Sequence, residues 1–165
     1  PVGRATALLE QLLKEAGELP QHEGLRVFLT GSPHDTPHVY AALEDKGLLI
    51  VGEDHDRGDL LHLRPTGAPT EAALAERYQY NGPTAPRASI RARAAHTGRA
   101  ARDCGAEALV SYARRHDEAP RWDYAAQEAA TGLPSVLLGR QPYGALDDGA
   151  AEALTALRPH AEVTR

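Results

Sequence analysis

The sequence contains no methionine, one cysteine, one tryptophan and one phenylalanine, and aromatic residues fill only 5% of its 165 positions. With Cys104 as the single thiol, the chain closes no internal disulfide and builds no multi-thiolate metal site from its own residues. That cysteine usage leads to the expectation of a cytoplasmic protein. The absence of methionine even at position 1 leads to the expectation of a processed or excised piece of a longer protein. No apolar run approaches the roughly 20 residues that span a bilayer, so no membrane association is expected. The amino end, PVGRATALLEQLLKEAG, is amphipathic and lacks the continuous apolar stretch of a secretory signal. Lysine is nearly missing too, with only Lys14 and Lys46 among 18 basic side chains. A formal net charge of −5 argues against a nucleic-acid partner. Arg87, Arg91, Arg93, Arg99 and Arg102 do form a local basic stretch, read as a solvated helix face, with anion capture as the alternative.

What is present is ordinary for a globular chain: 42% hydrophobic and 25% charged residues over a length that suits one core. A single α/β domain over residues 1–165 is therefore expected. Leu8, Leu9, Leu12 and Leu13 share one face of a helix predicted over about residues 3 to 17. Leu25 to Gly31 has the short, Gly-terminated pattern of a buried strand. A helix is expected from Pro37 to about Lys46, with Thr36 as its cap and Pro37 at its first position. Leu48 to Val51 is an apolar run too short for anything but a second strand.

Helical segments follow from Thr70 to about Tyr80 and from roughly Arg87 to Asp103, leading into a third strand at Ala108 to Tyr112. A helix over about Trp122 to Ala130, a fourth strand at Ser135 to Leu138 and a helix from Asp147 to Leu157 complete the pattern, ahead of a frayed tail. Strand and helix alternate throughout. This is the signature of an α/β, three-layer, flavodoxin-like fold: a four-stranded, mostly parallel sheet with right-handed crossovers and helices on both faces.

In such a sheet the ligand crevice lies at the carboxyl ends of the strands. The rule gathers four exit loops, three of which carry adjacent His and Asp: His34-Asp35, His55-Asp56 and His116-Asp117. His34 and His116 are candidate acid-base residues, with a solvated turn histidine and a solvated charged loop as the plainer readings. Ser32, Asp54, His55, Arg114, Arg115 and Arg140 are candidate substrate-binding residues. Asp54-His55-Asp56 lacks a second His at helical spacing, so an acidic surface loop is read there in preference to a metal site. No GxGxxG, no GxxxxGK and no GxSxG occurs, which disfavours a nucleotide loop and a serine hydrolase. Trp122 and Tyr124, as lone aromatics at a helix start, are read as core residues.

Taken together, LRVFLTGSPHDT, LLIVGEDHDRGDL, the Arg-rich helix leading into CGAEALVSY, the loop ending in RWDY and LPSVLLGRQPYG resemble the carboxyl-terminal domain of the 2-hydroxyacyl-CoA dehydratase and benzoyl-CoA reductase family. The resemblance runs in order over about residues 5 to 157. It implies one of two similar α/β domains in a full subunit, with a 4Fe-4S cluster in the cleft between them. It also implies an ATP-driven activator whose electron permits radical elimination of water from a 2-hydroxyacyl thioester.

One departure concerns the thiolate. The family places a cluster cysteine after the third strand, shortly before an aromatic-Asp-Tyr segment; here His116 stands at about that place, with Trp122-Asp123-Tyr124 downstream, and Cys104 precedes the strand. The resemblance thus implies a cluster only where a partner chain supplies thiolates. Three readings follow: a dehydratase-like domain or subunit acting with a second such domain on a CoA thioester; a non-catalytic module kept for assembly or ligand binding; and a cluster-free acid-base enzyme using His116 and His34.

Overall fold

The β-branched and apolar runs become four strands: β1 (Leu25–Gly31), β2 (Leu48–Glu53), β3 (Ala108–Arg114) and β4 (Ser135–Gln141). In the computed structural model, which describes residues 2–20 and 22–157, they form one sheet in the order β2-β1-β3-β4. All three pairings are parallel. The helices are α1 (Val2–Glu15), α2 (His38–Glu44), α3 (Glu71–Gln79), α4 (Ile90–Asp103), α5 (Ala119–Thr131) and α6 (Asp148–Thr155). The expected frayed tail lies outside the described residues.

Strand order reverses at β1, because the chain leaves it toward β2 and then crosses back to β3. Right-handed crossovers must therefore place α2 on one face of the sheet and α4 and α5 on the other. The core divides accordingly. Val27, Leu29, Val110 and Tyr112 pack with Val39 and Leu43 of α2 and with Ala150 and Leu154 of α6. Phe28 and Leu109 turn to the opposite face and meet Ala101 of α4. Alternation of side chains along a strand sends neighbours to opposite layers, so β1 and β3 are apolar at consecutive positions.

Close approaches fix the layers. A Cβ on Gly98 would lie 2.7 Å from the Ala130 carbonyl oxygen, so α4 crosses α5 at a point where only glycine fits. Gly31 has φ +115°, and a Cβ there would lie 2.2 Å from the Tyr112 carbonyl oxygen. Glycine at that position lets β1 turn into its exit loop directly against β3.

Local expectations met the structure unevenly. Thr70 and Asp147 cap α3 and α6 by accepting from Ala73 and Ala150 amides. Thr36 does not cap α2: Pro37 occupies the cap position with helical backbone and no side-chain cap bond, and the helix starts at His38. Strands β2, β3 and β4 run two or three residues beyond their apolar cores, since backbone pairing continues where side chains turn polar. Trp122 is 73% exposed and does not join the core. Nor is any residue of α1 buried; its leucine face is open, Leu9 being 62% and Leu13 77% exposed.

Candidate functional site

The carboxyl ends of β1, β2, β3 and β4 lie together because the sheet is wholly parallel, so their exit loops share one edge of the molecule. Ser32 follows β1 directly. Its backbone amide donates to the Tyr112 carbonyl at 2.8 Å, and its hydroxyl donates to Asp117 Oδ2 at 2.7 Å while accepting from the Arg114 amide at 3.0 Å. Asp117 in turn accepts from the Ala119 amide at the start of α5. Ser32, 1% exposed, therefore ties the β1 exit to the β3 exit and is saturated in doing so.

Two buried imidazoles sit between β1 and β2. His34 and His55 are 6% and 3% exposed, with ring centroids 5.1 Å apart in edge-to-face contact. The Arg57 amide donates to His55 Nδ1, which assigns the remaining proton to Nε2. That nitrogen lies 2.8 Å from Glu53 Oε2 and 2.8 Å from the Tyr40 hydroxyl, and the hydroxyl also donates to Glu53. Burial alone would raise the Glu53 carboxyl, but the bonds from His55 and Tyr40 outweigh it and hold Glu53 below the usual carboxylate range. Burial, followed by that same carboxylate, pushes the Tyr40 phenol well up. His34 is lowered to about 4, chiefly by burial and then by its electrostatic interaction with His55 and Arg114, so it is neutral near pH 7. Among the described residues His34 Nε2 has no hydrogen-bond partner.

A second polar cluster lies across β1. Thr97 Oγ1 donates to Asp54 Oδ2 at 2.5 Å, and Gln127 Nε2 donates to Thr97 and Thr30 at 3.1 and 2.9 Å. Burial pushes the Asp54 carboxyl up, against the opposing bonds from Thr30 and Thr97. Beside it, Arg93 makes a bidentate pair with Asp123, through Nε at 2.7 Å and Nη2, fastening α4 to α5. Arg93 is therefore not part of a solvated arginine face, although Arg87, Arg91, Arg99 and Arg102 are exposed as expected. Thr30, Asp54, Arg93, Asp123 and Gln127 line a small polar cavity of ≈120 Å³.

Arg114, Arg115 and His116 line a wider cavity of ≈570 Å³ with Pro33, Pro142 and Tyr143. The Arg114 guanidinium stacks 4.8 Å from the centre of the Tyr143 ring, donates to the Pro33 carbonyl and lies 3.6 Å from Asp35. Arg115 and His116 are exposed on the cavity wall. Arg140 is exposed as well, at φ 58°, and lines neither this cavity nor the small polar one.

A family model for the 2-hydroxyglutaryl-CoA dehydratase D-component matches residues 1–136. The chain belongs to this dehydratase family. The match takes in β1, β2, β3, α5 and the start of β4, and ends before the fourth exit loop. A search of curated proteins found no match.

Membership implies a 4Fe-4S cluster, and the residues of this dehydratase-family chain do not fit one. Its only thiol, Cys104, caps the end of α4; its carbonyl accepts from Arg26 near the start of β1, while the exit loops lie at the other end of the strands. Burial pushes that thiol up, and Sγ lies 3.4 Å from the Ala101 carbonyl oxygen. Among the described residues no group of three or more His, Cys, Asp or Glu side chains is placed to hold a metal ion.

The structure brings together some of the residues that the sequence singled out and separates others. His34 joins His55, and Ser32 joins Arg114, whereas His34 and His116 line different cavities. Tyr40, Thr97, Gln127 and the Arg93–Asp123 pair escaped the reading of the exit loops. They lie on helices, and only a polar residue on a predicted buried helix face, as Thr97 and Gln127 are, would have signalled them.

Proposed function

We propose that this chain is a 2-hydroxyacyl-CoA dehydratase-like domain or subunit of a larger assembly, seating a CoA thioester over the carboxyl ends of its strands and contributing no cluster ligand. The single observation that carries this reading is the family match over residues 1–136, which covers β1 to β3 and their exit loops. The ≈570 Å³ cavity supports it by joining apolar walls from Pro33 and Pro142 to cationic groups from Arg114 and Arg115. Arginine suits the phosphoryl and carbonyl oxygens of a thioester ligand, and proline and tyrosine suit its carbon skeleton.

In this reading Arg114 and Arg115 bind the ligand, Arg140 meets only a part of it that extends beyond the cavity wall, and Ser32, Asp54 and His55 shape the loops around it. His34, neutral and buried, and His116, exposed on the cavity wall, are the groups available to move a proton. The second α/β domain or subunit completes the cleft and supplies any thiolates. No proton or electron step is routed through iron held by this chain.

The test is anaerobic purification of the chain alone and with its genomic neighbours, followed by iron, acid-labile sulfide and visible absorption. Iron and sulfide in stoichiometric amount only in the complex is the expected result. Iron-free complexes would remove the radical reaction. They would leave the second reading, a module retained for binding or assembly, which the placement of Cys104 favours.

A further inference from the structure

Helix α1 carries Leu8, Leu9, Leu12 and Leu13 on one face and buries none of them; even the least open, Leu12, is 50% exposed. An isolated helix shorter than about 12–15 residues is marginal in water, and helices in folded proteins draw most of their stability from packing an apolar face. At 14 residues with its leucines open, α1 is a helix whose stability calls for a partner.

The charged residues of the helix say which partner. Arg4, Glu10, Lys14 and Glu15 balance in sign, so α1 lacks the excess of Lys and Arg with which an amphipathic helix holds a membrane surface. Arg4 and Glu15 stand 11 positions apart, about three turns, and therefore flank the leucine face on the same edge. Arg4 makes no salt bridge among the described residues, and Glu15 accepts from Gln11 Nε2 at 2.9 Å through one oxygen. A two-fold axis perpendicular to the helix reverses a second copy and sets the same edges of the two helices side by side. With Leu8 level with Leu13 of the other copy, and Leu9 with its Leu12, Arg4 of each copy falls two residues, about 3 Å along the axis, from Glu15 of the other. In-register parallel pairing leaves those charges about 16 Å apart along the axis.

We propose that α1 is a dimerisation helix, which pairs antiparallel with α1 of a second copy of this chain across the leucine face and sets Arg4 of each copy against Glu15 of the other. The interface does not depend on the thioester reading, since it uses none of the residues of the ≈570 Å³ cavity.

The experiment is sedimentation equilibrium of the full chain from about 1 to 200 µM, where a monomer–dimer equilibrium is expected. Leu9→Asp combined with Leu12→Asp, both at exposed positions, should weaken association about 100-fold or more, because each charge would be buried against the other helix. Circular dichroism confirms that the sheet of that variant is intact. Arg4→Glu alone and Glu15→Arg alone should each weaken self-association about tenfold, since each sets like charges together at both ends of the interface. An equimolar mixture of these two single variants should recover the parental affinity, because each carries the charges that the other lacks. A monomer throughout the range would overturn the assignment, and binding of that monomer to vesicles of phosphatidylserine and phosphatidylcholine would move the leucine face to a lipid surface. A dimer unchanged by the leucine substitutions would overturn it too, as would charge variants that do not recover each other.

Discussion

The Ser32 hydroxyl donates to Asp117 at 2.7 Å and accepts from the Arg114 amide at 3.0 Å, joining the exits of two adjacent parallel strands. A serine after a β-strand invites a nucleophilic reading, but among the described residues no imidazole bonds this one, and both of its hydrogen-bonding roles are taken.

Ser32→Ala should therefore act on stability. It strands the Arg114 amide and one Asp117 oxygen in a buried place, and the expected cost is about 1–3 kcal/mol. Urea denaturation monitored by circular dichroism measures it. A change below about 0.3 kcal/mol would show that water replaces the hydroxyl without loss.

Gly31→Ala is expected to be far more damaging. The new Cβ would lie 2.2 Å from the backbone oxygen of Tyr112, at φ +115°, where side chains are strained in any case. Backbone cannot yield there without parting β1 from β3, so the loss should exceed about 4 kcal/mol. Soluble expression and thermal melting are the readouts; a variant melting within a few degrees of the parent would refute the rigid junction.

His34 makes stability depend on pH. Unfolded, its imidazole takes up a proton near 6.5; folded, it resists until about 4. Between those values the unfolded state holds more protons, so stability falls as pH drops from 6.5 toward 4 and this contribution levels off below. The loss is on the order of 3 kcal/mol. Denaturation midpoints across that window should slope accordingly, and His34→Gln should flatten the slope. An unchanged slope in that variant would place the titration elsewhere.

Much of the frame was legible in the chain because burial on both faces demands apolar residues at consecutive positions. Val27-Phe28-Leu29 and Leu109-Val110 announce interior parallel strands in that way. The exit loops were legible for a related reason: polar residues collect where a buried strand meets solvent. The partners of those residues were not. Tyr40 meets His55 across 15 positions, Thr97 meets Asp54 across 43 and Asp123 meets Arg93 across 30. Each pairing joins a helix to a loop or to another helix, and its existence follows from how layers stack. The Arg93 side chain looks identical in sequence to its solvated neighbours Arg91 and Arg99, yet Arg93 turns toward α5 and pairs with Asp123.

The sequence by itself determined the alternation of strands and helices, the single thiol and the set of polar exit loops, since periodicity, composition and turn residues are local properties. Tertiary structure alone decided that the His34 and His55 rings meet edge to face while His116 lines a separate cavity, that Ser32 is a strut and that Cys104 lies away from the exit loops. The physical reason is that strand order and crossover hand set which loops meet, and burial then decides which of their charges and hydrogen bonds survive.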